Sequence, residues 1–73
     1  MIKFYRFVHC PYCDIVQDFM DEHSIKYEIV LVERDKKPKE VTSTGGTVPV
    51  IEENGKLISD SSRIISYLKM RKG

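Results

Sequence analysis

The chain has no tryptophan, two histidines and two cysteines among 73 residues. With one cysteine pair there is no second thiolate pair from which a four-ligand structural zinc centre is usually built. Long hydrophobic runs are missing too. The longest, Ile29 to Val32, falls far short of the ~20 apolar residues that a membrane-spanning helix needs. The N-terminal MIKFYRFV lacks the small-residue cleavage region of a secretory signal, and Arg6 interrupts its apolar stretch. Charge of one sign is likewise absent. Twelve basic and eleven acidic residues leave a formal +1, too weak a field to require nucleic acid or another polyanion as partner. Repeats, linkers and low-complexity segments are absent, so residues 1–73 read as a single small domain near the lower size limit for unaided folding. We expect a cytoplasmic monomer with no membrane contact. In that compartment a lasting disulfide is unusual, and a C-x-x-C is more often catalytic or metal-binding.

What is present is HCPYCD, residues 9 to 14. It lies at a change of period. Ile2 to Val8 is rich in Phe, Tyr, Ile and Val and reads as a strand. After Pro11, Ile15, Val16, Phe19 and Met20 recur at helical spacing, while Asp14, Asp18, Asp21 and Glu22 occupy much of the other face. Pro11 suits a first helical turn, where its missing N–H is no loss. A second strand follows over Lys26 to Val32, which makes a βαβ unit and predicts parallel, right-handed pairing.

Beyond it, Pro38 starts a short helix ending near Thr42, anchored by Val41. Thr44, Gly45 and Gly46 form a turn, and Val48 to Glu52 reads as a strand with Pro49 confined to its start. Asn54-Gly55 signals a hairpin to Lys56–Ile58. Ser59 or Asp60 caps a last helix with Ile64, Ile65 and Leu68 as its apolar stripe and Tyr67 beside it. The expected fold is α/β, β-α-β-α-β-β-α, a four-stranded mixed sheet with three short helices. The cysteine pair then falls outside the carboxyl end of the first strand, where open α/β sheets keep their sites.

Three chemistries suit such a pair. Intrachain zinc needs further ligands, and His23 lies about 15 Å along the helix from Cys13, too far to close a site. A buried, inert pair of cysteines is the plain alternative. The third reading is redox chemistry, and position favours it. Cys10 precedes the proline that opens the helix, beside unpaired N–H groups and the positive end of the helix dipole. That setting favours thiolate over thiol. Cys13, one turn on, lies on the same side. Cys10 is therefore the nucleophile and Cys13 the resolving thiol.

Cys10-Pro11-Tyr12-Cys13 after a strand, with Gly45-Gly46-Thr47-Val48-Pro49 further on and then a hairpin and closing helix, resembles glutaredoxin. The resemblance covers essentially the whole chain. It implies the thioredoxin-like fold and thiol–disulfide oxidoreductase activity on disulfide-containing or glutathionylated proteins. Glutathione enters as co-substrate, with no tightly bound cofactor and no metal. It also implies a cis bond at Val48-Pro49, with Pro11, Tyr12, Val48 and Pro49 supporting the active disulfide. Tyr12, Thr47 and Val48 would flank glutathione. Two positions depart from the pattern. Phe7 stands where many glutaredoxins have lysine, and Ser59-Asp60-Ser61-Ser62 replaces the usual glycine-rich turn. That turn looks more like the acidic-Ser turn of the glutathione transferase N-terminal domain, which implies that Asp60 and Ser61 hold the γ-glutamyl end. Lys36, Lys37 or Lys39 would then supply a cation for the glycyl carboxylate.

Each auxiliary residue has a plainer reading. Tyr12 is also an ordinary rim aromatic, and Ser59, Asp60 and Ser61 also read as a helix cap. The run from Arg34 to Lys39 is also a solvated face, without the interleaved aromatics of a nucleic-acid site. His9 reads as an exposed neighbour that tunes Cys10, and Lys69 to Lys72 as a basic turn complementing the helix dipole. Competing functions are a thioredoxin-like or NrdH-like electron donor reduced by a flavoprotein reductase, an iron–sulfur carrier bridging two chains, and a non-catalytic binding module.

Overall fold

The computed structural model describes residues 1–70. Arg71 and Lys72, part of the basic C-terminal turn expected from sequence, lie outside the described residues. The elements are β1 (Ile2–Arg6), α1 (Pro11–Glu22), β2 (Tyr27–Leu31), α2 (Lys39–Thr42), β3 (Val50–Glu53), β4 (Lys56–Ser59) and α3 (Ser61–Met70). They form the expected thioredoxin-like fold. One four-stranded sheet has the order β2-β1-β3-β4, with β1 parallel to β2 and antiparallel to β3, and β3 antiparallel to β4. The parallel pair closes the predicted βαβ unit. Asn54 and Gly55 turn the β3–β4 hairpin, both with positive φ, as a tight two-residue connection requires.

Alternation along the central strand divides the core. Ile2 and Phe4 pack with Cys10, Cys13, Val16, Met20, Ile51, Ile64 and Leu68. Tyr5 packs separately with Val32, Val41 and Val50. Period-two alternation on β1 accounts for this division between two clusters. Among the described residues no helix is long and apolar enough to cross a membrane.

Several boundaries and one face differ from expectation, β2 among them, which runs Tyr27–Leu31 and is one residue shorter at each end. β1 stops at Arg6 instead of Val8, because the Arg6 guanidinium takes the carbonyls of Phe7 and Val8 out of any ladder. β3 starts at Val50 because Pro49 has no N–H to give a ladder. The hairpin return runs one residue further, to Ser59, which pairs with Val50. On α1 the buried stripe is Cys13, Val16 and Met20, and Ile15 is 51% exposed. Cys13 occupies the core position that a count of aliphatic residues alone assigns elsewhere.

Candidate functional site

The site begins with Cys10, which is the N-cap of α1. Its backbone is extended (φ −152°, ψ 99°), Pro11 follows at the first helical position, and its carbonyl accepts the Asp14 amide at 3.0 Å. Its sulfur accepts the backbone N–H of Cys13 at 3.2 Å. Cys10 and Cys13 are joined as a disulfide, with Cα atoms 5.2 Å apart. Cys13 is wholly buried, whereas Cys10 is 8% exposed and lines an open cavity. The two sulfurs are thus unequal. Cys10 faces the outside and Cys13 stands behind it in the core.

Two cavities meet at Thr47 and Val48. The larger, about 390 Å³, is lined by Cys10 and Pro11, by Phe7 and His9 from the preceding loop, and by Arg34, Lys37 and Gly46. The smaller, about 160 Å³, is lined by Tyr12, Thr47, Val48, Pro49, Asp60 and Ser61. Every residue named from sequence for the γ-glutamyl end therefore faces one hollow. Tyr12 forms its rim at 65% exposure. The Val48-Pro49 bond is cis.

Backbone contacts draw the Asp60 turn to this place. The Asp60 amide donates to the Pro49 carbonyl at 3.3 Å, and its own carbonyl accepts the Ile64 amide at 2.9 Å to open α3. Asp60 has φ +73°, a left-handed conformation that aspartate tolerates better than most residues. One of its carboxylate oxygens accepts the Ser62 hydroxyl at 3.4 Å. The turn is both a helix start and a wall of the cavity.

The three lysines separate. Lys37 lines the Cys10 cavity, and its ammonium donates to the Gly46 carbonyl at 2.6 Å. Lys39 lines a different cavity with Glu40, Ser43, Glu52, Gly55 and Leu57, and Lys36 lines none of the three. Arg34 was read from sequence only as solvated charge, yet its guanidinium lies 5.3 Å from the Phe7 ring centroid, over the ring, and lines the Cys10 cavity. Its position just past β2 was the available signal. β2 is parallel to β1, so residues following both strands reach the same edge of the sheet.

Arg6 was missed as well. It is buried at the end of β1 and bridges the loop and α1, with an ion pair to Asp14 at 2.7 Å. Among the described residues no group of three or more His, Cys, Asp or Glu side chains gathers to hold a metal.

Residues 4–73 match the family model described as glutathione S-transferase, N-terminal domain. Prostaglandin E synthase 2 of Danio rerio is 39% identical over 69 residues, which is 93% of this chain and 18% of that protein. A crystal structure of a glutathione S-transferase from Methylobacillus flagellatus with glutathione bound is 27% identical. It superposes with a TM-score of 0.86 over 99% of this chain and 37% of its own. Glutaredoxin 2 from Salmonella typhimurium in complex with glutathione is 21% identical with a TM-score of 0.83, over 96% of this chain and 33% of its own, a likeness of fold. The chain therefore spans about a fifth of the synthase and about a third of the two structures.

Proposed function

This chain belongs to the family of glutathione S-transferase N-terminal domains, and on that premise we propose that it catalyses thiol–disulfide exchange with glutathione as the reducing thiol. The observation that carries the reading is the Cys10 sulfur. It caps a helix, accepts a backbone N–H, and opens into a cavity with Cys13 in disulfide reach behind it.

In the reduced protein the Cys10 thiolate attacks one sulfur of a substrate disulfide. That S–S bond breaks, and the departing sulfur takes the electron pair and a proton and leaves as a thiol. The Cys13 thiolate then attacks Cys10 sulfur, forms the intramolecular disulfide and releases the second substrate thiol. Two glutathione molecules restore the dithiol and leave as glutathione disulfide. Two electrons pass from glutathione to substrate. Helix-end N–H groups favour Cys10 as thiolate, and make it a good leaving group when the second glutathione attacks the glutathione sulfur of the Cys10–glutathione mixed disulfide. On glutathionylated substrates Cys10 attacks the glutathione sulfur directly, and Cys13 is dispensable.

Asp60 and Ser61 would receive the γ-glutamyl end in the smaller cavity, the carboxylate of Asp60 pairing with the ammonium. The backbone at Val48 lies between the two cavities, where the cysteinyl part would pass. Of the candidate cations, Lys37 and Arg34 line the Cys10 cavity, which supports them for the glycyl carboxylate.

The test is steady-state reduction of a glutathionylated peptide by glutathione, run beside an assay with a flavoprotein disulfide reductase and NADPH. We expect turnover with glutathione that Cys10→Ser abolishes. Inertness with glutathione but efficient reduction by the flavoprotein would make the chain a dedicated electron donor. The 39% identity to a prostaglandin E synthase 2 favours one second reading, in which the same Cys10 thiol serves prostaglandin E formation. Thiol-dependent formation of prostaglandin E from its immediate precursor, without disulfide exchange, would select it.

A further inference from the structure

Arg6 ends β1 and is buried, a setting in which an arginine is tolerated only with its charge and its donors matched. It is matched on two elements at once. Nε donates to the Phe7 carbonyl at 2.9 Å and Nη2 to the Val8 carbonyl at 3.4 Å, both in the loop that leads to Cys10. Nη1 donates to Gln17 Oε1 at 2.6 Å and Nη2 to Asp14 Oδ1 at 2.7 Å, both on α1. One planar guanidinium thus ties the strand end, the loop and the helix together. We infer that Arg6 is a positioning residue for Cys10, fixing where the loop meets α1 and so holding the Cys10 sulfur against the Cys13 amide.

The alternative cause of any effect on Cys10 is charge, and it can be separated from position. The ionisable groups around Cys10 are His9 in its loop, Asp14 on α1, Arg34 and Lys37 across the larger cavity, and Asp60 beyond Val48. Arg6→Lys leaves that set unchanged in charge but removes the fork, since an ammonium cannot reach four acceptors on two elements. Gln17→Ala removes one helix anchor and alters no charge. An effect shared by both variants is therefore positional.

The inference depends on the proposed exchange for its purpose, yet it is read from the thiol alone. In a Cys13→Ser background, the rate of iodoacetamide alkylation of Cys10 is followed against pH. We expect Arg6→Lys to lower the rate near neutral pH by about threefold or more and to move the midpoint upward, because the thiolate is less well held. Gln17→Ala should shift both in the same direction by less. Wild-type profiles in both folded variants would overturn the inference. If Arg6→Lys does not fold, Gln17→Ala decides alone. Failure of glutathione turnover in the wild type would remove the proposed function and leave this measurement valid.

Discussion

The backbone N–H of Cys13 points at the sulfur of Cys10, 3.2 Å away, so one residue of the pair supplies the other with its stabilising donor. The donor is a backbone group fixed by the first turn of α1, so we expect it to serve the Cys10 sulfur in the reduced protein as well. A negative sulfur at Cys10 gains from that donor and from the helix end, whereas Cys13, wholly buried, has only the core around it.

The reduced protein should therefore alkylate at Cys10 first. The pH midpoint of iodoacetamide reaction, located by peptide mass spectrometry, should fall below the ordinary thiol value of about 8.5. Cys13 should react only after unfolding. A midpoint at or above about 8.5 would remove the physical basis for nucleophilic Cys10.

How far these features were legible follows from their range. The cysteine pair, the Pro11 helix start and the Asn54-Gly55 turn are local signals, set by a residue's own backbone chemistry, and each stands where the pattern put it. The hollow holding Tyr12, Thr47, Val48, Pro49, Asp60 and Ser61 was reached only through the family resemblance, since no periodicity joins residues that far apart. Arg6 and Arg34 were passed over because each looks like ordinary surface charge until the fold supplies its neighbours. Burial at the strand end and an aromatic ring beneath the guanidinium are tertiary facts. The lysine cluster was equally opaque, because one residue's shift along a loop decides which cavity a side chain enters.

Tyr27 should report alkaline stability. Its ring meets Phe4 edge-on at 5.9 Å and its hydroxyl donates to Asp21 at 2.7 Å. Burial first, and then the hydrogen bond to Asp21, push its pKa up to about 12 from the ordinary 10.0. Since the folded value is raised, this contribution to stability is fully present below pH 10 and is lost as pH rises through about 12. Tyr27→Phe should flatten the fall in stability across that window and delete a step near pH 12 from a phenolate absorbance titration. An unchanged titration would refute the assignment.

Val41 is the one buried residue of α2. Its side chain packs with Tyr5, Val32 and Val50, and its carbonyl accepts the Gly46 amide at 2.9 Å. Val41→Ala should lower unfolding stability by about 1–3 kcal/mol in urea. Because Gly46 walls the Cys10 cavity, KM for glutathione should rise more than kcat falls. Equal losses in both would mean that α2 does not shape the groove.

Asp60→Asn should weaken glutathione-dependent turnover by about 10- to 100-fold, the worth of one charge-assisted hydrogen bond. Asp60 also opens α3, so circular dichroism must first establish that the variant folds. Unchanged kinetics in a folded Asp60→Asn would leave the turn as a helix start only.

Arg34 separates the glycyl end of the groove from the γ-glutamyl end. Its guanidinium rests on Phe7 and is exposed, so its pull on a carboxylate is that of a surface charge. Arg34→Gln should raise KM for glutathione by about two- to fivefold and leave kcat near its original value, since the residue binds without touching the reacting sulfurs. Raising the ionic strength should shrink the difference between variant and wild type, because an exposed pair is screened by salt. Lys37→Gln should behave differently. Its ammonium already holds the Gly46 carbonyl, so losing it should loosen the loop before Thr47 and lower kcat as well as raise KM, with weaker dependence on salt. A folded Arg34→Gln with unaltered KM at low salt would remove Arg34 from the site and leave Lys37 as the cation for the glycyl carboxylate.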